Sequence, residues 1–415
     1  MRVERCIITP TYRGHFQYIP KYLQSFRMYV EERDFPVYFI VNREDVRPFE
    51  KIARDYNDLN LNVLCFEDIL EHFSVRITPG VLLDKYGKFS FQSLKKWYAQ
   101  LYIDPEQSLL LDSESMWARP TRMNALFDEY FAAPFLAYSD INRRQRAGFL
   151  FLTVVKNNNY LLKTRNHKWF LEHFCWFYDT AILKDLCAEH GDPLEIVDEL
   201  YRSPTPDWSL FETLFYHEYI YKNNGRYGYK VIDADEALRE ALGEERAAAY
   251  LDRFYRLFKG EAGILEYAAS VVTDSDAEAV ARLFADSRFR LLRCEFPSGN
   301  YAAQKRFVEL VNPNIFAVSQ GHVYGLNKGA ANRVLEAIPD VDLGALRDHA
   351  AAFAEPVRGA ARWLKEGLLA SWHGTGATRE PATSGRHGAR IVPMTTRTAA
   401  GPEAPPRRGH PAFIL

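Results

Sequence analysis

Along the N-terminal half of the chain, short apolar runs that end on polar residues alternate with stretches whose apolar residues recur every three or four positions. An unbroken apolar run of a few residues suits a strand buried on both faces, whereas the longer spacing suits a helix with one buried side. RCIIT, residues 5–9, reads as a first strand that ends in Pro10-Thr11-Tyr12. Ile19, Leu23, Phe26 and Val30 mark a helix over residues 18–32. PVYFIV, residues 36–41, is a second strand and stops at Asn42; residues 49–56 form a second helix, and NVLCF, residues 62–66, a third strand. A β-α-β-α-β order predicts an α/β fold with a doubly wound, mostly parallel sheet. Chain polarity puts Thr9, Thr11, Tyr12 and Asn42 at carboxyl ends of strands, where such sheets bind nucleotides.

The next helix is predicted over residues 89–102, FSFQSLKKWYAQLY, with Ser90 as its N-cap. Phe91, Leu94, Tyr98 and Leu101 make its buried stripe, and Gln92, Lys95 and Lys96 fall on the other side. Lys95 then either faces a diphosphate or is a solvated surface lysine. The helix leads into SLLLDSESMWARP, residues 108–120. Leu109 to Leu111 read as a buried strand, and Asp112-Ser113-Glu114 follow where the apolar run stops. In extended backbone, residues two apart point the same way, so Asp112 and Glu114 can converge on one point. Two close carboxylates repel unless a cation lies between them, and Mg²⁺ or Mn²⁺ favours such oxygen ligands. The competing reading is a solvated acidic turn.

Further on, residues 123–131 read as a helix and FLAY, residues 135–138, as a strand before Ser139-Asp140; Arg143, Arg144 and Arg146 either clamp phosphates or form a plain basic loop. Residues 160–200 read as helical and aromatic, mostly core. In DWSLFETLFYHEYI, residues 207–220, Glu212, Tyr216 and Tyr219 share helical spacing. Asp207 or Glu212 is a candidate general base, although Ser209 with Glu212 also makes a capping-box pattern. YKVID, residues 229–233, is a strand that would close the first domain, residues 1–260. A smaller αβ extension is expected over 261–345, with His322 just beyond the apolar IFAVS as a candidate late metal ligand or a structural histidine. Residues 346–373 form an Ala-rich helical segment, and from 374 to 415 the composition predicts a disordered tail.

Totals narrow the choices. A formal net charge of −2 provides no field to attract nucleic acid. The five cysteines are widely spaced with no Cys-x-x-Cys pair, which argues against a zinc knuckle or a disulfide framework and suits a reducing cytoplasm. No stretch approaches the length needed to span a bilayer, so any membrane contact is expected to be peripheral.

TPTY after the first strand, the FSFQSLKKWYA helix and LLLDSESMWARP together resemble nucleotide-sugar glycosyltransferases of the GT-A fold. More narrowly, they are similar to a bacterial group with a Gln-x-x-Lys helix, a Leu-Asp-Ser-Asp strand end and a later Ser-Glu-Tyr-type aromatic segment. Here these are Gln92 and Lys95, Asp112-Ser113-Glu114, and Phe211-Glu212 with Tyr216 and Tyr219. The likeness spans residues 1–235, and Glu114 stands where the second Asp is usual, its carboxylate one methylene further out. The resemblance implies transfer of a sugar from a nucleotide-sugar donor to a surface-polysaccharide or glycolipid acceptor. It also implies Mn²⁺ or Mg²⁺ at Asp112 and Glu114 bridging the donor diphosphate, with Gln92 and Lys95 nearby. Two rivals stay open. A sugar nucleotidyltransferase would carry a Gly-rich basic loop after the first strand, which TPTYRGHFQ matches poorly. An inactive, glycan-binding or scaffolding relative is kept open by Glu114.

Overall fold

Cys6, Ile7, Ile8 and Thr9 are all fully buried, because the strand that carries them lies inside a sheet covered on both faces. The computed structural model describes residues 3–113, 115–117, 120–140, 149–170, 176–202, 210–258 and 317–319. In chain order the first elements are β1 (Arg5–Pro10), α1 (Ile19–Tyr29), β2 (Val37–Val41), α2 (Arg43–Ala53), β3 (Leu61–Cys65) and α3 (Phe66–His72). The long α4 (Pro79–Ile103) and β4 (Gln107–Leu110) follow. β1 pairs in parallel with β2 on one side and β4 on the other, and β2 pairs in parallel with β3. The α/β, doubly wound and mostly parallel sheet expected from the pattern is therefore the architecture of this region.

Two helices start sooner than the periodicity predicts. α2 begins directly after Asn42, with Glu44 and Asp45 in its first turn where negative charge meets the helix dipole, and it carries Pro48 inside. In α4 the N-cap is Thr78, whose Oγ accepts from Val81 N, and not Ser90. Ser90 lies inside the helix and accepts from Leu210 N at 3.1 Å. Gly87 (φ 75°) kinks α4 two residues before the stretch read from sequence, a conformation that glycine adopts without strain.

Next come β5 (Ser115–Trp117), α5 (Met123–Ala132), β6 (Phe135–Asp140), α6 (Phe149–Leu162), β7 (Lys168–Trp169) and β8 (Phe177–Asp179). α7 (Thr180–His190), α8 (Pro193–Tyr201), α9 (Glu212–Lys222), α10 (Asn224–Tyr227), β9 (Lys230–Asp233), α11 (Ala234–Leu242), α12 (Glu244–Phe258) and β10 (Ala317–Ser319) complete the described chain. Residues 160–200 are thus not one helical stretch. Asp179 caps α7, and Gly191 (φ 99°) and Pro193 separate α7 from α8. β8 adds to β4 as an antiparallel edge, giving the order β3-β2-β1-β4-β8. β9 does not close that sheet. It pairs in parallel with β6, in a separate three-stranded sheet β7-β6-β9.

α4 is the hub of the core. Leu94, Trp97, Tyr98 and Ala99 are buried, and so are the polar Ser90, Ser93, Lys95, Lys96 and Gln100. The side of this helix read as polar is therefore interior, because α3, α7, α8 and α9 pack around it as well as the sheet. Gln100 accepts from Ser108 on β4 and donates to Thr180 Oγ at 2.6 Å, which ties the helix to the sheet's last strands. No helix among the described residues is long and apolar enough to cross a membrane.

Candidate functional site

β1 and β4 are neighbours, but the chain leaves them in opposite directions: from β1 toward β2 and β3, and into β4 by way of α4. At such a switch point the loops beyond the carboxyl ends diverge and leave a crevice, the usual ligand position in open α/β sheets. Here His15, from the loop after β1, meets Ser113, from the loop after β4, with Nδ1 and Oγ 3.0 Å apart. The Tyr12 side chain, 42% exposed, has its ring tilted against the His15 ring at 4.4 Å, and the Tyr18 ring meets His15 edge-on at 5.3 Å. Gly14 permits this arrangement, since a Cβ there would stand 2.5 Å from the Tyr12 ring.

The expected nucleotide contacts divide. Thr9 is fully buried and its Oγ meets Tyr22 OH at 3.2 Å, so its side chain serves the core. The strand runs one residue further than read, and both its faces are covered. Thr11 is also buried; its carbonyl accepts from Lys95 Nζ at 2.9 Å, and its Oγ has no hydrogen-bond partner among the described residues. Asn42, at the N-cap of α2, offers Oδ1 to the same Lys95 at 3.1 Å. Lys95 is thus neither solvated nor free to swing. Its ammonium links the ends of β1 and β2, with the Phe66 and Phe91 rings at 5.7 and 5.9 Å. Burial lowers its pKa to about 8, against the opposing pull of Glu67, Asp45 and Cys65. Gln92 is half-buried on the same helix.

Lys96, one residue on, enters a different environment. Its Nζ is 2.7 Å from Glu212 Oε1 and 3.6 Å from Asp112 Oδ1, and it sits 4.5 Å from the centre of the Trp176 ring. Glu212 opens α9 and is 4% exposed. Ser93 Oγ lies 2.6 Å from Glu212 Oε2 and 2.8 Å from Leu210 O, so its single proton is shared between them. The N-cap of α9 is Phe211 with no side-chain cap, so no capping box explains Glu212. Tyr216 and Tyr219 are core residues; Tyr216 stacks on Tyr178 and accepts from Asp179 N.

Asp112 is partly open to solvent. The chain around it does not stay extended: Ser115 N donates to Asp112 O at 2.9 Å, closing a turn. Glu114, Asp207 and His322 lie outside the described residues. Of the groups read as metal ligands, only Asp112 is described, and among the described residues no three His, Cys, Asp or Glu side chains gather as a ligand set. Beyond Asp112, a metal here would depend on Glu114 and His322. β10 comes back to this region, with Ser319 paired opposite Ser115 on β5.

Sequence reading missed His15, Ser113, Ser93, Lys96 and Trp176. Ser113, Ser93 and Lys96 stood inside quoted motifs, but nothing in those motifs indicated their partners; His15 and Trp176 had no local signal.

No protein-family model and no curated protein matches the chain. The solved structures it resembles include mouse xyloside xylosyltransferase 1 in its apo form, at 11% identity and TM-score 0.35, covering 56% of this chain and 86% of that one. Another is the bifunctional glycosyltransferase WbbM, apo, at 8% and TM-score 0.39, covering 84% of this chain and 52% of that one. A third is core-mannan synthase A from Aspergillus fumigatus in a Mn/GDP form, at 9% and TM-score 0.34, covering 56% and 73%. The chain thus spans about half of WbbM. Overlaps this loose assign neither family nor activity.

Proposed function

We propose that the chain is a GT-A-like glycosyltransferase that moves a sugar from a nucleotide-sugar donor to a glycan or glycolipid acceptor. The observation that carries this reading is the Asp112–Lys96–Glu212 bridge at the carboxyl end of β4, beside the switch point marked by the His15–Ser113 contact. The exposed Tyr12 ring after β1 and the charged groups at the end of β4 suit a nucleoside diphosphate. Tyr12 would stack on the base, since a ring face offers apolar area to any nucleobase. Lys95 would hold the loops after β1 and β2 in place and not touch the donor. Lys96 would stand close to the departing diphosphate, where a fixed positive charge stabilises charge that grows as the glycosidic bond breaks. Glu212, bound by Lys96 and Ser93, would anchor that lysine, which leaves Asp207 as the candidate base for the acceptor hydroxyl. A divalent ion at Asp112, with Glu114 and His322 as further ligands, would add Lewis-acid charge to the leaving group.

A thermal-shift screen of nucleoside diphosphates and nucleotide-sugars, with and without Mn²⁺, tests the reading. A ligand at a hundredfold its Kd adds about 2.7 kcal/mol to the folded state. The expected result is a shift with at least one nucleotide that Asp112→Ala reduces, together with donor hydrolysis that falls at least tenfold in that variant. No shift with any nucleotide would sink the proposal.

A further inference from the structure

We propose that a pocket at the amino end of the sheet binds a neutral, hydroxyl-rich ligand, a sugar unit of a glycan. The pocket has a volume of about 460 Å³ and forms where β1, β2 and β3 begin, beside the first turn of α5. Small-molecule sites occupy about 300–1,000 Å³. β1 covers six residues, so a rise of about 3.3 Å per residue puts roughly 17 Å between this pocket and the crevice beyond the carboxyl ends. The walls are fixed before any ligand arrives. Glu32 accepts from Met123 N at 2.8 Å and from Asn124 N at 3.3 Å, and Arg5 Nη1 donates to Asn124 O at 3.1 Å. On the β3 side, Asn60 Nδ2 donates to Asp34 O at 2.9 Å, and Asn62 Nδ2 donates to Asn60 Oδ1 at 3.2 Å. Groups already held in place spare a ligand the cost of ordering them.

The lining selects the ligand by charge and by hydrogen bonding. Glu4, Glu32 and Asp34 supply carboxylates. Arg5 is the cation among the lining residues, and its guanidinium is taken, by Gln107 Oε1 at 3.1 Å and Asp128 Oδ1 at 2.6 Å. A phosphate or another anion therefore meets repulsion. Tyr38 and Asn62 are partners in the β2–β3 register, which sets a half-buried ring beside an amide. The Tyr38 hydroxyl and the Asn124 side-chain amide enter no hydrogen bond among the described residues. Burial pushes the Tyr38 pKa up, so the phenol stays neutral and can both donate and accept. An ammonium has no acceptor to offer, and it would leave the spare N–H groups of Asn62 and Asn124 unpaired. A sugar hydroxyl donates to the carboxylates and accepts from the amides, and the Tyr38 ring offers apolar area to the C–H face of the sugar. On the reading above, which this inference deepens without needing the donor site, that sugar is a unit of the acceptor glycan away from the reacting hydroxyl.

Saturation-transfer difference NMR on the full chain tests this without nucleotide or metal. The probes are the methyl glycosides of glucose, galactose, mannose and N-acetylglucosamine. At least one is expected to receive saturation. Asn62→Ala and Asn124→Ala should each weaken its Kd about tenfold, the order of one lost hydrogen bond. Asn124 is exposed and Asn62 half-buried on an edge strand, so urea midpoints should stay at the wild-type value. A nucleoside diphosphate should leave the glycoside signal unchanged. The proposal is overturned if no glycoside binds, if a nucleoside diphosphate displaces it, or if both variants bind as wild type does. Binding of spermidine in preference to every glycoside overturns it as well. The thermal-shift screen of nucleotides reports on the donor site separately, so failure of one reading is distinguishable from failure of the other.

Discussion

Lys95 and Lys96 are adjacent on one buried helix, yet they sit in two different regions. Lys95 points to the ends of β1 and β2 and gives its protons to neutral oxygens, a carbonyl and an amide. Lys96 points to the end of β4 and α9 and is matched by carboxylates. Burial without a paired charge disfavours the ammonium, and the pKa of Lys95 falls to about 8 accordingly. Burial with carboxylates makes each charge dependent on the other. The first lysine can lose its charge and stay bound; the second cannot be removed without stranding an anion.

The largest consequence follows from that difference. Lys96→Ala should lose about 3–5 kcal/mol of stability in urea denaturation, the usual cost of breaking a buried ion pair. Lys95→Met should lose no more than about 1–2 kcal/mol at pH 7, since lost hydrogen bonds are offset by relief from burying the charge. Similar losses for the two variants would break the comparison.

The pH dependence of Lys95 comes next. Below pH 8 the lysine is charged in both states and the folded state bears its burial. Between the folded value of about 8 and the ordinary 10.5, the unfolded chain binds more protons. Stability due to Lys95 therefore rises with pH in that window. The stability of wild type relative to Lys95→Met should climb by up to roughly 3 kcal/mol from pH 8 to pH 10.5. A flat difference would mean that the ammonium is compensated after all.

Glu218 on α9 extends the contrast to an acid whose close partners among the described residues include no cation. It is 1% exposed, and Thr164 and Asn166 donate to its carboxylate. Burial raises its pKa to about 7, in spite of donors from Asn158, Asn166 and Thr164. The unfolded carboxyl ionises at its ordinary value near 4.5, so the folded state loses ground as pH rises from there to 7. Glu218→Gln should gain on wild type over that range, by up to roughly 3 kcal/mol at pH 8. No change in the gap between pH 4 and pH 8 would show that the charge is compensated.

The smallest effect concerns the aromatic side of the crevice. Gly14→Ala would push the Tyr12 ring aside, and because that ring is exposed the loss of stability should stay under about 1 kcal/mol. Nucleotide affinity should fall while urea stability holds; unchanged affinity would remove Tyr12 from the donor site.

Much of the fold was legible. β1, β2 and β3 were read as apolar runs and appear where read; β1 and β2 lie in the middle of the parallel sheet, where both faces are covered and no polar alternation is needed, whereas β3 is its half-buried edge. The polar stops at Thr11, Asn42 and Asp112 were legible for the same reason. The stretch from 160 to 200 misled, because aromatic residues at mixed spacing suit a core helix and a short buried strand such as β8 equally well. The site was legible only in part. Thr9 looked like a strand end and proved to be core, and Lys95 and Lys96 looked like a solvated face.

What the sequence determined by itself is the set of local preferences: which runs are apolar enough to be strands, where they stop, and that an acidic stop follows the fourth. What the tertiary structure decided is the pairing. The Lys95–Thr11 contact joins residues 84 apart and the Lys96–Glu212 contact residues 116 apart. Periodicity shows which side of a helix differs from the other, but not how many neighbours enclose it. Only the packing of α4 among other helices and the sheet turned a polar stripe into two buried charges, each with its own partners.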